Sequence, residues 1–309
     1  VTTERRDRPV MTGADPETFR YQVQGPDAVA VMERAVDGDL PDLDFFTFEQ
    51  VAIDGVETNV LRHGMAGEPG FEFWGPYEAS ERVTDRLLEA GEAYGLRRLG
   101  SKAYQSVTVV SGWLPIPIRA IYTGEAMADF REWLDLSEGM LSLGGSYGSE
   151  DIEDYYVTPV EAGYGRLIDF DHDFVGREAL REEMANPSRE KVTLVWDDDD
   201  VVDVYGSLFE GGPTKKFVDL PVPVSSATQY DELLADGDHV GVSKWASYVY
   251  NQREMLSLAL VDTAHSDPGT ELTLRWGEVT GAANPQVEDH ELTDISVTVA
   301  PAPYTEDNR

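Results

Sequence analysis

Residues 155–180 read YYVTPVEAGYGRLIDFDHDFVGREAL and place a turn, a strand, a second turn and a helix in close succession. The alternation in YGRLIDF predicts the strand, and the glycines around its start predict a turn. The acidic residues Asp169, Asp171 and Asp173 predict a second, solvated turn. A helix is predicted to begin at Gly176. This succession indicates that the chain returns here to a folded domain after a loop.

The residues before this stretch show the pattern of an α+β domain. Alternation in FRYQVQG (19–25) predicts a strand, and a proline opens the helix predicted over 26–36. An Asp-Gly pair predicts the turn of a hairpin over 51–64. The sequence of residues 76–95 predicts an amphipathic helix that ends at a glycine. Strand, helix, hairpin and helix in this order are typical of an antiparallel sheet with helices on one face.

The residues that follow are predicted to be less regular. Pro115 and Pro117 exclude an ordinary helix there, so we expect residues 101–123 to be less regular. The pattern returns to a helix over 124–134, and the glycine- and acid-rich residues 140–155 predict a loop.

From about residue 188 the chain changes to short strands at regular spacing, separated by turns such as Asp-Gly. The predicted strands are KVTLVWD, VDVYGSLF, HVGVSKWASYV, MLSLALVD and ELTLRWGE. This pattern predicts a small all-β barrel or sandwich. We therefore predict a domain boundary near 186–190.

The net charge excludes several classes of partner. It is −35, from 59 Asp and Glu against 24 Lys and Arg, of which five are lysines. Self-repulsion of this size is tolerable in molar salt, where the Debye length falls to about 3 Å, so we predict a cytoplasmic protein of a halophile. An acidic binding protein for a basic partner is the alternative, which the even spread of acids disfavours. The charge also argues against nucleic acid as a partner.

Other residue patterns argue against a membrane, a disulfide framework and a metal site. No apolar run approaches 18 residues, and no apolar stretch follows the arginine pair at 5–6, so we expect no membrane partner and no export signal. The chain has no cysteine. Its five histidines lack metal-ligand spacing, and the aspartates at 197–200 lack the spacing of a calcium loop. We predict that these aspartates form a solvated turn.

Several segments, taken in order, resemble the glycine-cleavage T-protein family. They are VQGPDAVAVMERAVDGDLPDLDFFTF (23–48), LRHGMAGEPGFEFWGP (61–76), YGLRRLGSKAY (94–104), TPVEAGYGRLIDFDHDFVGREAL (158–180), DGDHVGVSKWASY (236–248) and DPGTELTL (267–274). Residues 100–125, GSKAYQSVTVVSGWLPIPIRAIYTGE, are more similar to the family's branch of tetrahydrofolate-dependent aryl O-demethylases.

The resemblance implies a one-carbon transferase that passes a methyl group from a small-molecule donor to tetrahydrofolate, as an O- or N-demethylase. The implied fold class is α+β, a partial folate domain with an antiparallel sheet and helices, followed by a C-terminal all-β barrel. The predicted limits are a flexible lead-in at 1–16, the folate domain at 17–187, the barrel at 188–302 and a tail at 303–309.

The resemblance also implies the site residues. Glu72 would accept two parallel hydrogen bonds from the amidine-like edge of a pterin, since a carboxylate is acceptor-only. Its ordinary alternative is a surface glutamate. Trp113 would stack on a pterin or aminobenzoyl ring, or else be a core tryptophan. Tyr104 would donate a proton to the departing phenoxide, or else be a packed aromatic residue.

Four further residues are weaker candidates for the same cavity. Lys102 stands where the family has an arginine and would meet a folate carboxylate, although lysine lacks the bidentate fork. The other candidates are Arg62, Tyr122 and Phe45.

Family members carry a longer segment before the VQGP motif, which in T-proteins holds the catalytic aspartate. We therefore expect an upstream segment or subunit to complete the first domain, and the isolated chain to show little turnover. Two alternatives remain: an aminomethyltransferase of glycine cleavage, with a lipoyl carrier protein as partner, and a folate-binding module without chemistry of its own.

Overall fold

The computed structural model describes residues 16–65, 67–115, 117–118, 120–135, 143–223, 228–279 and 287–306. The chain forms two compact units, and the division falls between Leu99 and Gly100. The boundary predicted near 186–190 lies inside the second unit, where the first strand of its barrel starts. The predicted domain limits stay a prediction.

The first unit contains a four-stranded antiparallel sheet with the strand order β1-β4-β3-β2. The strands are β1 (Thr18–Gln24), β2 (Phe48–Ile53), β3 (Val56–Arg62) and β4 (Gly70–Pro76). In the part of this unit that the structure describes, the helices are α1 (Ala28–Ala35) and α2 (Ser80–Gly91), the second flanked by 3-10 turns at Tyr77–Ala79 and Glu92–Tyr94. The strand, helix, hairpin and helix predicted for this part are confirmed.

The core of this unit lies between the helices and one face of the sheet. Alternate residues of a strand point to opposite faces, so Phe71 and Phe73 of β4 share the face that packs with Met32 of α1 and Leu87 of α2. The hairpin turn at Asp54-Gly55 has φ values of 49° and 70°. Two positive φ angles are the signature of the turn that matches strand twist, which is why Asp-Gly predicts it.

The second unit contains a closed six-stranded barrel with the strand order β10-β5-β8-β7-β6-β9. The strands are β5 (Arg189–Trp196), β6 (Asp231–Ala235), β7 (Asp238–Val249), β8 (Glu254–Asp262), β9 (Glu271–Trp276) and β10 (Thr293–Ala300). Apolar side chains fill its interior, including Trp196 and Trp276 in edge contact at 5.3 Å. The predicted barrel is confirmed, and so is the α+β class.

Helices and loops cover part of the outer barrel surface. The helices among the described residues of the second unit are α3 (Ser101–Val110), α4 (Ala128–Trp133), α5 (Arg177–Ala185) and α6 (Asp198–Gly206). Val109 and Val110 of α3 pack against Trp245 and Leu256 of the barrel. The outer face of β7 and β8 is therefore buried, which explains why these strands are apolar on both faces.

Three predictions about helices and strands were wrong. Residues 101–110 form α3, because Pro115 and Pro117 exclude a helix only in their immediate neighbourhood. YGRLIDF forms a 3-10 turn at Gly165–Leu167 and belongs to none of the described strands. VDVYGSLF (202–209) was predicted as a strand, but it forms the last residues of α6 and a 3-10 turn at Ser207–Phe209.

The aspartates at 197–200 are the start of a helix and not a turn. The Asp197 carboxylate accepts hydrogen bonds from the backbone N–H groups of Asp199 and Asp200, both at 3.0 Å. An N-cap carboxylate and acidic residues in the first turn stabilise the positive end of a helix. The strands β6 and β10, which were not predicted, complete the barrel.

Candidate functional site

Glu72 lies in the middle of β4 and is buried, with 4% of its surface exposed. It stands on the face opposite to the helices, directly across from Gln22 of β1 and Leu61 of β3. An ordinary surface glutamate would be mostly exposed. A buried carboxylate requires partners, since an isolated buried charge is strongly disfavoured.

The partners of Glu72 come from β1. The guanidinium of Arg20 donates to Glu72 Oε1 and forms an ion pair with it. Gln22 Nε2 donates to Glu72 Oε2 at 2.8 Å. Gln24 Nε2 donates to Gln22 Oε1 at 2.9 Å, and Gln24 Oε1 accepts from the backbone N–H of Met65 at 2.6 Å. Arg20, Gln22 and Gln24 alternate along β1, so all three lie on the face of Glu72.

This arrangement fits the pterin ring that the resemblance implies. Each carboxylate oxygen of Glu72 holds one donor, and a carboxylate offers about four acceptor positions in all. Paired N–H donors in a plane are what a carboxylate binds best. Glu72 is thus a fixed, buried acceptor on a polar sheet face.

The structure separates Arg62 from Glu72. Arg62 stands opposite Phe71 in the strand register, so its side chain belongs to the helix-covered face. Its guanidinium lies 4.8 Å from the centre of the Phe71 ring. Phe45 precedes β2 and makes an edge contact with Phe46 at 4.6 Å. The sheet therefore does not bring Arg62 to the carboxylate of Glu72.

Lys102, Tyr104 and Trp113 belong to the second unit. Lys102 and Tyr104 lie on α3, where residues two apart do not face each other. Lys102 Nζ is 3.7 Å from Asp219 Oδ1, and Tyr104 is partly exposed. Trp113 follows the helix and exposes 38% of its surface, while Gly112 and Leu114 beside it are buried. An indole exposed from a buried turn is available for stacking.

The turn that carries Trp113 is anchored by Lys191 of β5. Lys191 Nζ donates to the carbonyl oxygens of Gly112 at 2.5 Å and Ala162 at 2.6 Å. Gly112 has φ +67°, and a Cβ there would lie 3.1 Å from the backbone of Pro303. The backbone beside Trp113 is thus held on two sides.

Tyr122 is half-buried in a different cluster. It packs against buried residues that include Tyr155 and Tyr230. Arg131 of α4 fixes the loop around Tyr122 by donating to the carbonyl oxygens of Ile121 at 3.1 Å and Thr123 at 2.7 Å.

The buried charges of the barrel were not predicted from the sequence. Lys216 Nζ donates to Glu278 Oε1 and, at 3.0 Å, to Gln229 Oε1. Gln229 Nε2 donates to Asp231 Oδ2 at 2.7 Å. Glu278 Oε2 accepts from the backbone N–H of Gly145 at 2.7 Å, which ties a loop to the barrel. Burial raises the pKa of Asp231 to about 7.

Lys244 is a second buried lysine, and its Nζ is 2.7 Å from the Tyr230 hydroxyl. Burial lowers the pKa of Lys244 to about 7 and raises that of Tyr230. Lys191, Lys216 and Lys244 are three of the chain's five lysines. The rarity of lysine was the signal in the sequence, because a chain that nearly avoids lysine has two of these three buried and the third half-buried.

Within the ranges that the structure describes, no group of three histidine or acidic side chains is placed to hold a metal ion. A search of the same residues finds no helix with the length and apolar character needed to cross a membrane. Asp169, Asp171 and Asp173 are exposed, as predicted.

The model of the GCVT N-terminal domain family matches residues 3–115. Syringate O-demethylase of Sphingobium sp. is 44% identical over 310 residues, covering 99% of this chain and 67% of the relative. Sesamin methylene transferase of Sinomonas sp. is 34% identical, covering 93% and 65%. An aminomethyltransferase of Caldanaerobacter subterraneus is 26% identical, covering 81% and 52%. The chain thus spans half to two thirds of the length of these relatives.

The crystal structure of the glycine cleavage system aminomethyltransferase T from Bartonella henselae aligns with a TM-score of 0.56 and 18% identity. The alignment covers 95% of this chain and 61% of that one, and it supports the fold alone. The identity to syringate O-demethylase over nearly the whole chain decides the family. This chain belongs to the glycine-cleavage T-protein superfamily, in its O-demethylase branch.

Proposed function

We propose that this chain belongs to an enzyme that transfers a methyl group from an aryl methyl ether to tetrahydrofolate. The observation that carries the proposal is Glu72, a buried carboxylate held on a polar sheet face of a chain that is 44% identical to a syringate O-demethylase. When bound, tetrahydrofolate supplies the amine nitrogen that accepts the one-carbon unit.

Glu72 binds the pterin in this proposal. Its carboxylate accepts two N–H bonds from the amidine-like edge and fixes the orientation of the ring. Gln22, which is held in turn by Gln24, keeps the carboxylate in position by donating to Oε2. Burial strengthens these bonds because little water competes for the acceptor.

Tyr104 acts as the proton donor. Breaking the bond between the methyl carbon and the aryl oxygen leaves a phenoxide, which takes up a proton as it departs. The phenol of a tyrosine carries its proton at neutral pH and is suited to this step. Trp113 stacks on the folate, and Lys102 attracts its glutamate carboxylate. Phe45, Arg62 and Tyr122 have weaker support, and Arg62 is turned away from Glu72.

A turnover assay in molar salt tests the proposal, with the whole enzyme to which this chain belongs. Tetrahydrofolate and an aryl methyl ether such as syringate are supplied, and methylated folate and phenol are quantified. Tyr104→Phe removes only the hydroxyl and is expected to lower kcat by about 10²–10⁴-fold. Equal loss of both activity and folate affinity in this variant would instead assign Tyr104 to binding.

The second candidate is an aminomethyltransferase, which the 26% identity to such enzymes over 81% of the chain favours. Turnover that requires an added lipoyl carrier protein would support it over demethylation. The third is a folate-binding module without chemistry of its own. It predicts folate binding without turnover of either substrate class.

We also propose that a further segment or subunit completes the first unit. Among the described residues, β1 and β2 each pair with one strand, and near β2 Phe46 and Phe48 expose 60% and 57% of their surfaces. Unpaired edges and exposed aromatic side chains are typical of interfaces. In this view the isolated chain shows little turnover. Limited proteolysis is expected to cut the first unit while the barrel stays intact.

The charge supports a further proposal, that the protein works in the cytoplasm of a halophile. Screening in molar salt relieves the repulsion among 59 acidic residues. The melting temperature is therefore expected to rise steeply from low salt to molar KCl. A melting temperature that stays constant over this range would contradict the proposal.

A further inference from the structure

In this structure Arg20 occupies the Glu72 carboxylate, the group to which the proposed function assigns pterin binding. Its guanidinium both donates to and forms an ion pair with Glu72 Oε1. A guanidinium presents planar N–H donors to a carboxylate, and the amidine-like edge of a pterin presents donors of the same kind. Arg20 is therefore a chemical stand-in for the pterin edge, supplied by the protein itself.

The two ends of this ion pair differ in burial. The side chain of Arg20 is 71% exposed, whereas that of Glu72 is 5% exposed. Glu72 is fixed in the interior of the sheet, and Arg20 reaches it from the edge strand β1. An exposed arginine can leave the pair and become solvated, but the buried carboxylate cannot.

The neighbouring donor behaves differently. Gln22 is tied to Gln24, and Gln24 is tied to the backbone of Met65. This chain of amides fixes Gln22 beside Oε2 of Glu72 whether or not Arg20 is present. Of the two donors to Glu72, Arg20 is the one that can yield its place.

We propose that Arg20 is a gate at the pterin site, which pairs with Glu72 in the folate-free chain and must leave it when the pterin binds. The proposal rests on the proposed function. It follows that Arg20 lowers the apparent affinity for the pterin by the fraction of molecules in which it occupies Glu72. It also keeps the buried carboxylate paired in the folate-free protein.

The gate also contributes to specificity. Only a ligand with donors strong enough to replace a guanidinium displaces Arg20. A ring with a carbonyl in place of the 2-amino group, as in lumazine, places a carbonyl oxygen next to an oxygen of Glu72. Both atoms are hydrogen-bond acceptors, so no bond forms between them. Such a ring leaves the Arg20 pair intact and is excluded.

The test is titration of 6-methylpterin, followed by its own fluorescence, into the full chain in molar KCl. This probe lacks the glutamate tail, so the net charge of −35 has little effect on it. The variants are Arg20→Met, Arg20→Lys and Glu72→Gln. We expect Arg20→Met to bind about three- to tenfold more tightly than the wild type, as loss of a competing ion pair allows. Arg20→Lys, which keeps the charge, is expected to stay close to the wild type.

Salt gives a second measurement on the same proteins. Over the range of KCl in which both proteins are folded, wild-type affinity for 6-methylpterin is expected to rise with KCl as the Arg20–Glu72 pair is screened, and this rise is expected to vanish in Arg20→Met. Equal or weaker binding by Arg20→Met, with Glu72→Gln impaired, would overturn the gate and leave the pterin site standing. Equal binding by the wild type and Glu72→Gln would overturn the site itself, and the gate with it.

Discussion

The ion pair between Lys216 and Glu278 allows a sharp test of how the barrel is stabilised. The two side chains are 4% and 5% exposed, and Lys216 also lies 4.9 Å from the centre of the Trp276 ring. Lys216→Met keeps the length of the aliphatic chain but leaves Glu278 buried without its cation. Breaking one side of a buried pair destabilises a protein by about 3–5 kcal/mol.

This loss is large against the total. Domains are stable by about 5–15 kcal/mol, and 1 kcal/mol moves the melting temperature of a 150–250-residue domain by about 2–4 °C. Lys216→Met is therefore expected to lower the melting temperature by about 6–20 °C. In the double variant with Glu278→Gln the buried charge of residue 278 is gone, while the amide oxygen can still accept from Gly145. The double variant is expected to be more stable than Lys216→Met alone.

The assay is urea unfolding at constant high KCl, because an uncharged denaturant leaves the ionic strength unchanged. The wild type, both single variants and the double variant form a double-mutant cycle. A free-energy loss below about 1 kcal/mol for Lys216→Met, or strictly additive losses in the double variant, would refute the reasoning that burial makes this pair critical.

Three further predictions concern single residues of the second unit. Because the folded pKa of Asp231 is raised to about 7 and its unfolded value is near 3.8, the folded protein binds more protons between these values, and Asp231 lowers stability as pH rises from about 4 to 7. Asp231→Asn should flatten that part of the stability curve in urea titrations, and an unchanged slope would count against it. The folded pKa of Lys244 is lowered to about 7 from 10.5, so its destabilising effect is complete below pH 7 and fades as pH rises to about 10.5. Lys244→Met should raise stability at pH 7 and remove the alkaline rise; a less stable variant with the rise intact would contradict this. Lys191→Met should speed amide hydrogen exchange around Trp113, with Lys191→Arg near the wild type, and equal exchange in all three proteins would show that the anchor is dispensable.

The sequence predicted the elements whose pattern is local. The Asp54-Gly55 turn requires two positive φ angles, and this dipeptide tolerates them, so the hairpin was recognisable. The helix α5 starts after Gly176, which has φ +87°, as predicted. Each of these features depends on residues that are neighbours in the chain.

The misassigned elements depend on contacts that are distant in sequence. VDVYGSLF has the β-branched residues of a strand. The Asp197 side chain, however, caps a helix by accepting from the backbone N–H of Asp200, and this helix continues into VDVYGSLF. Val204 of the helix then packs against the core of the barrel. YGRLIDF alternates like a strand, although none of the described strands pairs with it. Alternation predicts a strand only where a free edge is available to complete the backbone hydrogen bonds.

The candidate site residues were proposed from the family resemblance, which did not predict their surroundings. The sequence alone offered no reason to pair Glu72 with Arg20, because the contact spans 52 residues and arises from the register of β1 against β4. The turn beside Trp113 is likewise held by Lys191, which is 79 residues from the Gly112 carbonyl to which it donates. Spacing along the chain does not encode such contacts until the strand register is known.

Calorimetric titration of tetrahydrofolate into the wild type and Glu72→Gln, both in molar KCl, tests the central claim most directly. Glutamine keeps the shape of the side chain but replaces one acceptor oxygen by a donor, which opposes the donors of the pterin. Loss of a charge-assisted pair is worth about 1.5–3 kcal/mol, so affinity should fall by about 10–150-fold while the melting temperature shows that the variant is folded. Equal affinity in the two proteins would contradict the assignment of Glu72 to the pterin.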